Sequence, residues 1–182
     1  AKDLCSLPFL DQLVASGVAS FKIEGRARKP EYVYTVVRAY RAALDAIQAG
    51  TFTPALAARL VEETKAVFHR EYGTGLFYGR PGADQYTDQE DSLATTVKRH
   101  AGIVLDYFLK AGIAQVQIQD HPLTVGDTVQ IHGPTTGVVE VAIASLRRDD
   151  AVLASAARGT WATFPCPRVR VGDKVFFMET KP

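Results

Sequence analysis

AKDLCSLPFLDQLVASGVASFKIEGRARKPEYV, residues 1–33, is the stretch on which the fold assignment turns. Leu7 to Ser16 sets Phe9, Leu10, Leu13 and Val14 at helical spacing, and Gly17 is placed to close that helix. Val18 to Ile23 then predicts a short strand that runs into the charged Glu24-Gly25-Arg26 and hands over to a second helix. A strand that finishes in charges and leads into a helix is how α/β barrels present their chemistry. One such unit is present rather than eight. The block therefore reads as the last piece of a larger catalytic barrel, a truncated remnant of helix-strand-two helices.

Outward from this block the helical pattern continues to residue 71. Pro30 suits a first helical turn, and Val33, Val36, Val37, Tyr40, Leu44 and Ile47 form one stripe before Gly50. Thr53-Pro54 is a second start signal, an N-cap followed by proline at the first helical position, and Leu56, Leu60, Val61, Thr64 and Phe68 carry that helix onward. Residues 72–94 lose the period. GTGLFYGRPGADQYTDQEDS is rich in Gly, Asp and Gln, yet Leu76, Phe77, Tyr78 and Tyr86 make it too apolar for a disordered linker. It is expected to be an ordered connector.

Residues 95–182 read as strands: His100 to Leu105, Ile113 to Ile118, Thr128 to Ile131, Val138 to Ala144, Ala151 to Ala154, a run near Thr163, and Lys174 to Met178. Many short strands separated by Gly and Asp turns suggest a small closed barrel. The fold class expected for the whole is thus α+β. One internal echo accompanies it: Leu123-Thr-Val-Gly-Asp-Thr-Val-Gln-Ile131 matches Val169-Arg-Val-Gly-Asp-Lys-Val-Phe-Phe177. Each Val-Gly-Asp predicts a turn that feeds a strand. Two similar turns and a translation-factor-like barrel both account for it.

Composition narrows the partners. The chain is 47% hydrophobic and 23% charged with a formal net charge of +1, the balance of a globular protein with no global field to select nucleic acid or membrane. No apolar run approaches the roughly 20 residues of a spanning helix, so no membrane partner is expected. Asp3, Asp11 and Gln12 interrupt the first apolar stretch, so no signal peptide is read there, and a reducing cytoplasm is the expected location. The two cysteines, Cys5 and Cys166, lie too far apart in sequence to suggest a disulfide framework.

Several residues could carry chemistry. Cys5 reads as an inert buried thiol, a nucleophile or a metal ligand; no second cysteine sits at ligand spacing. Lys22, Glu24 and Arg26 alternate along the predicted strand and share one face, where catalytic groups or a structural ion pair would sit. Arg26, Arg28, Lys29, Arg38 and Arg41, interleaved with Tyr32, Tyr34 and Tyr40, make the helical region locally basic. Arg168, Arg170 and Lys174 suggest an RNA-binding stripe on the strand region. His69, His100, His121 and His132 show no paired-ligand spacing, and no GxSxG or phosphate loop occurs.

Lys2-Asp-Leu-Cys5, Ser20-Phe-Lys-Ile-Glu-Gly-Arg26 and Pro30-Glu-Tyr-Val33 resemble the C-terminal part of peptidase family U32 proteins, often labelled collagenase-like proteases. The resemblance continues through Tyr72-Gly-Thr-Gly-Leu-Phe77, Gly79-Arg-Pro-Gly82 and the Val-Gly-Asp turns. It implies an α/β-barrel catalytic domain followed by a small β-barrel similar to elongation-factor barrels. It further implies either a hydrolase of protein substrates or an RNA-modifying enzyme, since some members take part in prephenate-dependent 5-hydroxylation of the tRNA wobble uridine. Related members hold a [4Fe-4S] cluster on four cysteines, which makes Cys5 the expected fourth ligand; the other three are not in this sequence. A fragment of this kind is expected to hold no cluster and to be inactive alone. A non-catalytic module that binds RNA or protein is the alternative.

Overall fold

The computed structural model describes residues 1–88 and 91–181; residues 89 and 90, inside the expected connector, and residue 182, at the end of the expected barrel, lie outside the described residues. The chain divides into two compact units, Ala1–Thr95 and Thr96–Pro182.

The first unit is built on local helix signals. A 3-10 turn, Leu7–Phe9, runs into α1 (Leu10–Ala15), and Pro30 opens α2 (Pro30–Gln48) from an extended Lys29. Thr53 caps α3 (Pro54–Thr64): its side-chain oxygen accepts the Leu56 N–H at 3.1 Å. The face α2 buries is Thr35, Val36, Ala39 and Ala43, a set of small and β-branched residues that lets α3 pack closely. Val33 and Val37, expected on that stripe, are exposed instead. Cys5, Leu7, Leu10, Ala39, Ala43 and Leu60 form the core of this unit.

The predicted strand Val18 to Ile23 does not form. Its backbone joins no ladder among the described residues, and its Val18 N–H closes the end of α1 on the Leu13 carbonyl instead. The alternation survives: Phe21 and Ile23 are half-buried while Lys22 and Glu24 are exposed. The strands that do form here are β1 (Asp3–Leu4) and β2 (Tyr72–Gly73), paired in parallel with Asp3 opposite Tyr72 and Leu4 opposite Gly73. So β2 uses the first two residues of the expected connector. That segment's far end folds back, with the Leu93 and Thr95 N–H groups donating to the carbonyls of His69 and Lys65.

The second unit is antiparallel. Its strands are β3 (Thr96–Phe108), β4 (Ile113–Ile118), β5 (Leu123–Thr124), β6 (Thr128–Gly133), β7 (Gly137–Ala142), β8 (Leu146–Arg148), β9 (Ala151–Leu153), β10 (Ser155–Ala156), β11 (Trp161–Pro165) and β12 (Lys174–Thr180). Eight of these form one sheet in the order β7-β6-β12-β3-β4-β11-β8-β9, and β5 pairs with β10. Val141 near one end of that order and Leu146 near the other join one buried cluster with Val129, Val175, Val116 and Phe164. A sheet whose distant strands share a core must curl over it. The edge strands β7 and β9 do not pair among the described residues.

The echoed turns are equivalent in hydrogen bonding. Gly126 and Gly172 have φ of +100° and +87°, the left-handed region that glycine enters without strain. Asp127 Oδ2 accepts the Thr124 N–H at 2.7 Å, and Asp173 Oδ2 accepts the Arg170 N–H at 2.9 Å. The Gly126 N–H donates to the Ile143 carbonyl and the Asp127 carbonyl accepts the Ile143 N–H; Gly172 and Asp173 make the same pair of bonds with Val104. The strands that follow, β6 and β12, lie side by side, with Val175 opposite Ile131, Phe176 opposite Gln130 and Phe177 opposite Val129.

Two outcomes follow from this unit. Asp173 is buried and Asp127 is not, so removing each carboxylate strands a donor in different surroundings. Asp173→Ala is expected to cost about 2 kcal/mol and Asp127→Ala about 1 kcal/mol in urea denaturation, and equal costs would contradict the assignment. Burial pushes the Cys166 thiol up to about 11, an effect opposed by a hydrogen bond with the Ala114 backbone. In a Cys5→Ser background, iodoacetamide should label Cys166 very slowly at neutral pH, with a rate that rises about tenfold per pH unit until about pH 11.

Candidate functional site

The first unit contains a cavity of about 470 Å³. Its floor is the chain from Asp3 to Ser6, its rim is the extended run Ser20 to Glu24, and its wall is the face of α2 that carries Tyr32, Val36 and Tyr40. Those three recur every fourth residue, the spacing that stacks side chains along one side of a helix. Leu13, Arg28, Thr64, Tyr72 and Phe77 complete the lining. Small helix residues bury the core side of α2 while its larger aromatic residues face the cavity, so one helix serves both.

Cys5 is at the centre and 6% exposed. Its backbone N–H donates to the Gly73 carbonyl at 3.0 Å, which fixes its position on β1. Burial pushes the thiol above its usual range, against the pull of hydrogen bonds from the Leu7 backbone and the Tyr40 hydroxyl. Three tyrosines surround it. Burial raises Tyr32 despite the positive charge of Arg28, raises Tyr40, and pushes Tyr72 up to about 12 although Thr64 hydrogen-bonds it. The Tyr40 hydroxyl also lies 3.0 Å from the Ser6 N–H, which donates to it, and 3.1 Å from the Ser6 hydroxyl. Around Cys5 the cavity thus presents neutral hydroxyls and a neutral thiol.

One charged cluster borders it. Asp3 Oδ1 accepts Arg28 Nη2 at 3.3 Å and lies 3.5 Å from Arg70 Nη2, while Oδ2 accepts the Arg70 backbone N–H at 3.0 Å. The Arg28 guanidinium lies 4.2 Å from the Phe68 ring centroid and 5.0 Å from that of Tyr32. Two guanidinium groups share one carboxylate, which leaves the cluster with net positive charge. Arg70 Nε is buried with no hydrogen-bond partner among the described residues.

Of the expected catalytic trio, Lys22 and Glu24 rim the cavity 3.8 Å apart, both largely exposed. Arg26 does not line it; its backbone N–H donates to Glu24 Oε1 at 2.8 Å, which orients that carboxylate. The expected RNA residues stand in the second unit. Arg168 and Arg170 do not share a strand, as expected of them, but flank buried Val169 in the loop before β12, and exposed Lys174 is the first residue of that strand. Arg170 Nη1 donates to Thr136 Oγ1 at 3.0 Å. Sequence reasoning missed Asp3, Arg70 and Tyr72 as site residues, read Arg28 and Tyr32 as part of a solvated or RNA-facing helix face, and placed Tyr40 on the apolar stripe of α2 as well. The fourfold spacing of Tyr32, Val36 and Tyr40 was the available signal.

A cluster cofactor was tested against these residues. No group of three or more His, Cys, Asp or Glu side chains among the described residues could hold a metal ion. Cys5 supplies one sulfur donor, and the groups around it are phenols and hydroxyls that do not replace thiolates. The residues present fit one corner of a cluster site and do not hold one by themselves. No helix among the described residues is long and apolar enough to cross a membrane.

A collagenase of Porphyromonas gingivalis is 36% identical over 99% of this chain, and the match spans 44% of that protein. The tRNA hydroxylation protein P1 of Bacillus subtilis is 32% identical over 73% of this chain and 31% of its own length. The C-terminal domain of a Geobacillus thermoleovorans U32 peptidase superposes with a TM-score of 0.39 at 26% identity, covering 46% of this chain and 93% of that one. The chain spans half or less of the length of the curated relatives it matches. The model of peptidase family U32 matches residues 1–87, the region that holds the cavity, and the chain belongs to that family.

Proposed function

We propose that this chain serves a U32-type enzyme that modifies RNA, with the first unit lining the substrate cleft and the curled sheet acting as a barrel-type accessory domain that holds RNA. The observation that carries the reading is the state of Cys5. A cysteine hydrolase needs a thiol of lowered pKa beside an imidazole. Here burial raises the thiol, and its hydrogen-bond partners are a phenol and a backbone amide. With no base at hand to take its proton, the thiol would serve as a ligand that a metal ion itself deprotonates, with the remaining cluster donors contributed from outside residues 1–182. Lys22 and Glu24 would then meet the substrate at the rim, with Arg26 holding Glu24 in place. Arg168, Arg170 and Lys174 would take RNA phosphates.

A peptidase is the second reading. The collagenase relatives favour it, because they match nearly the whole chain. One preparation of the full-length protein separates the two. Nucleoside mass spectrometry of tRNA from a strain deficient in wobble-uridine hydroxylation should show the modification restored by the protein. Glu24→Gln should lower the yield about 100-fold, in the range for loss of a proton-transfer group, and Cys5→Ala should lose bound iron. Gelatin cleavage that Glu24→Gln abolishes, with tRNA unchanged, would assign the peptidase activity instead.

A further inference from the structure

The outward face of the second unit carries an aromatic and cationic cluster that the cleft does not use. In β12 the phase set by the Gly172-Asp173 turn sends Val175 into the core and Lys174 and Phe176 to the outside. Phe176 stands opposite His100 of β3 and Gln130 of β6, and Lys174 stands opposite His132. The His132 ring is 4.9 Å from the Phe176 ring, the His100 ring meets it edge-on at 5.6 Å, and Lys98 Nζ lies 4.4 Å from its centroid.

This face is held in shape from beneath. Gln130 is 4% exposed, donates through Nε2 to Glu140 Oε2 at 3.1 Å, and lies 3.1 Å from His132 Nε2 through its carbonyl oxygen. With the amide nitrogen committed to a carboxylate, the carbonyl oxygen accepts, so His132 Nε2 bears the proton. Asp120 Oδ2 holds His100 Nδ1 at 2.6 Å. Beyond the end of β12, Arg170 is anchored on Thr136 in the turn after β6. Arg170, Lys174 and Lys98 therefore form a cationic row along β12 with one aromatic ring in its middle.

We propose that this face is the single-stranded RNA contact surface of the second unit, with Phe176 stacking one unpaired base and Lys98, Lys174 and Arg170 taking the flanking phosphates. An open antiparallel sheet with an aromatic residue among cations binds unpaired nucleic acid because every base offers a π-face and every nucleotide a negative charge. A base on Phe176 replaces the Lys98 ammonium over the ring and releases it to the adjoining phosphate. The His132 ring, held by its bond to Gln130, stands beside the stacked base. The inference deepens the RNA reading above and depends on it for the class of partner alone.

The test is fluorescence anisotropy of the 182-residue chain with a labelled unpaired RNA of about 12 nucleotides, a length such sheets cover. Wild type should bind with an affinity that falls as salt rises. Phe176→Leu should weaken binding about tenfold with the salt slope unchanged, while Phe176→Tyr, which keeps the π-face, should bind within about threefold of wild type. Lys98→Gln with Lys174→Gln should reduce the slope by about 1.4, the value for two single-strand phosphates. Thermal melts confirm that each variant is folded. Absence of salt-dependent RNA binding, or a Phe176→Leu chain that binds as wild type, would overturn the proposal. So would gelatin binding lost in Phe176→Leu without any RNA binding, which would assign the face to a protein chain. Because the readout is binding, a failure of tRNA hydroxylation leaves this result standing.

Discussion

The first unit depends on the Asp3 carboxylate. It belongs to a strand of two residues, which cannot hold its place by backbone pairing alone, yet it fixes Arg28 across 25 positions of sequence and Arg70 across 67. Through Arg28 it sets the entry to α2, and through the Arg70 backbone it sets the approach to β2. Three segments far apart in sequence meet at one charged group. The guanidinium of Arg28, laid against Phe68 and Tyr32, extends that anchor to the aromatic wall of the cavity. A partly buried carboxylate with several donors tolerates this arrangement because each charge keeps a partner as water is withdrawn.

Within that frame the cavity is chemically quiet. Burial is the largest influence on Cys5, Tyr32, Tyr40 and Tyr72 alike, and in each it favours the neutral form. The charges are kept to the border, where Lys22 and Glu24 reach water. A site of this kind binds and orients; its reactivity would come from whatever joins it. The relatives that this chain matches include proteins named for collagen cleavage and for tRNA hydroxylation.

What was legible in the sequence was whatever a local period or a cap encodes. Thr53-Pro54 and Pro30 mark their helices to the residue, and Ile113 to Ile118 alternates as a strand with one dry side must. Of the strands of two or three residues, β1, β2, β5, β8 and β10 carry no period and were not expected, whereas β9 was. Val18 to Ile23 had the alternation but no partner, and partnership is a property of the whole chain rather than of six residues. The cavity was half legible for a related reason. Glu24 and Arg26 announce themselves by alternating, whereas the pairing of Asp3 with Arg28 and Arg70 exists only once the helices have brought distant segments together.

The twin turns imply a symmetry. Since β6 and β12 follow equivalent turns and run antiparallel to each other, Val175 faces the equivalent of Phe177, and Phe177 faces the equivalent of Val175. Only Gln130 and Phe176, themselves equivalent, face each other directly. A local two-fold axis therefore passes through that pair, and the two strands are exchanged by half a rotation about it. On the axis the two halves differ in kind: one places a buried amide hydrogen-bonded on both sides, the other a half-buried aromatic ring beside it. The amide and the ring of the outward platform are thus the same position of one repeated strand, used twice.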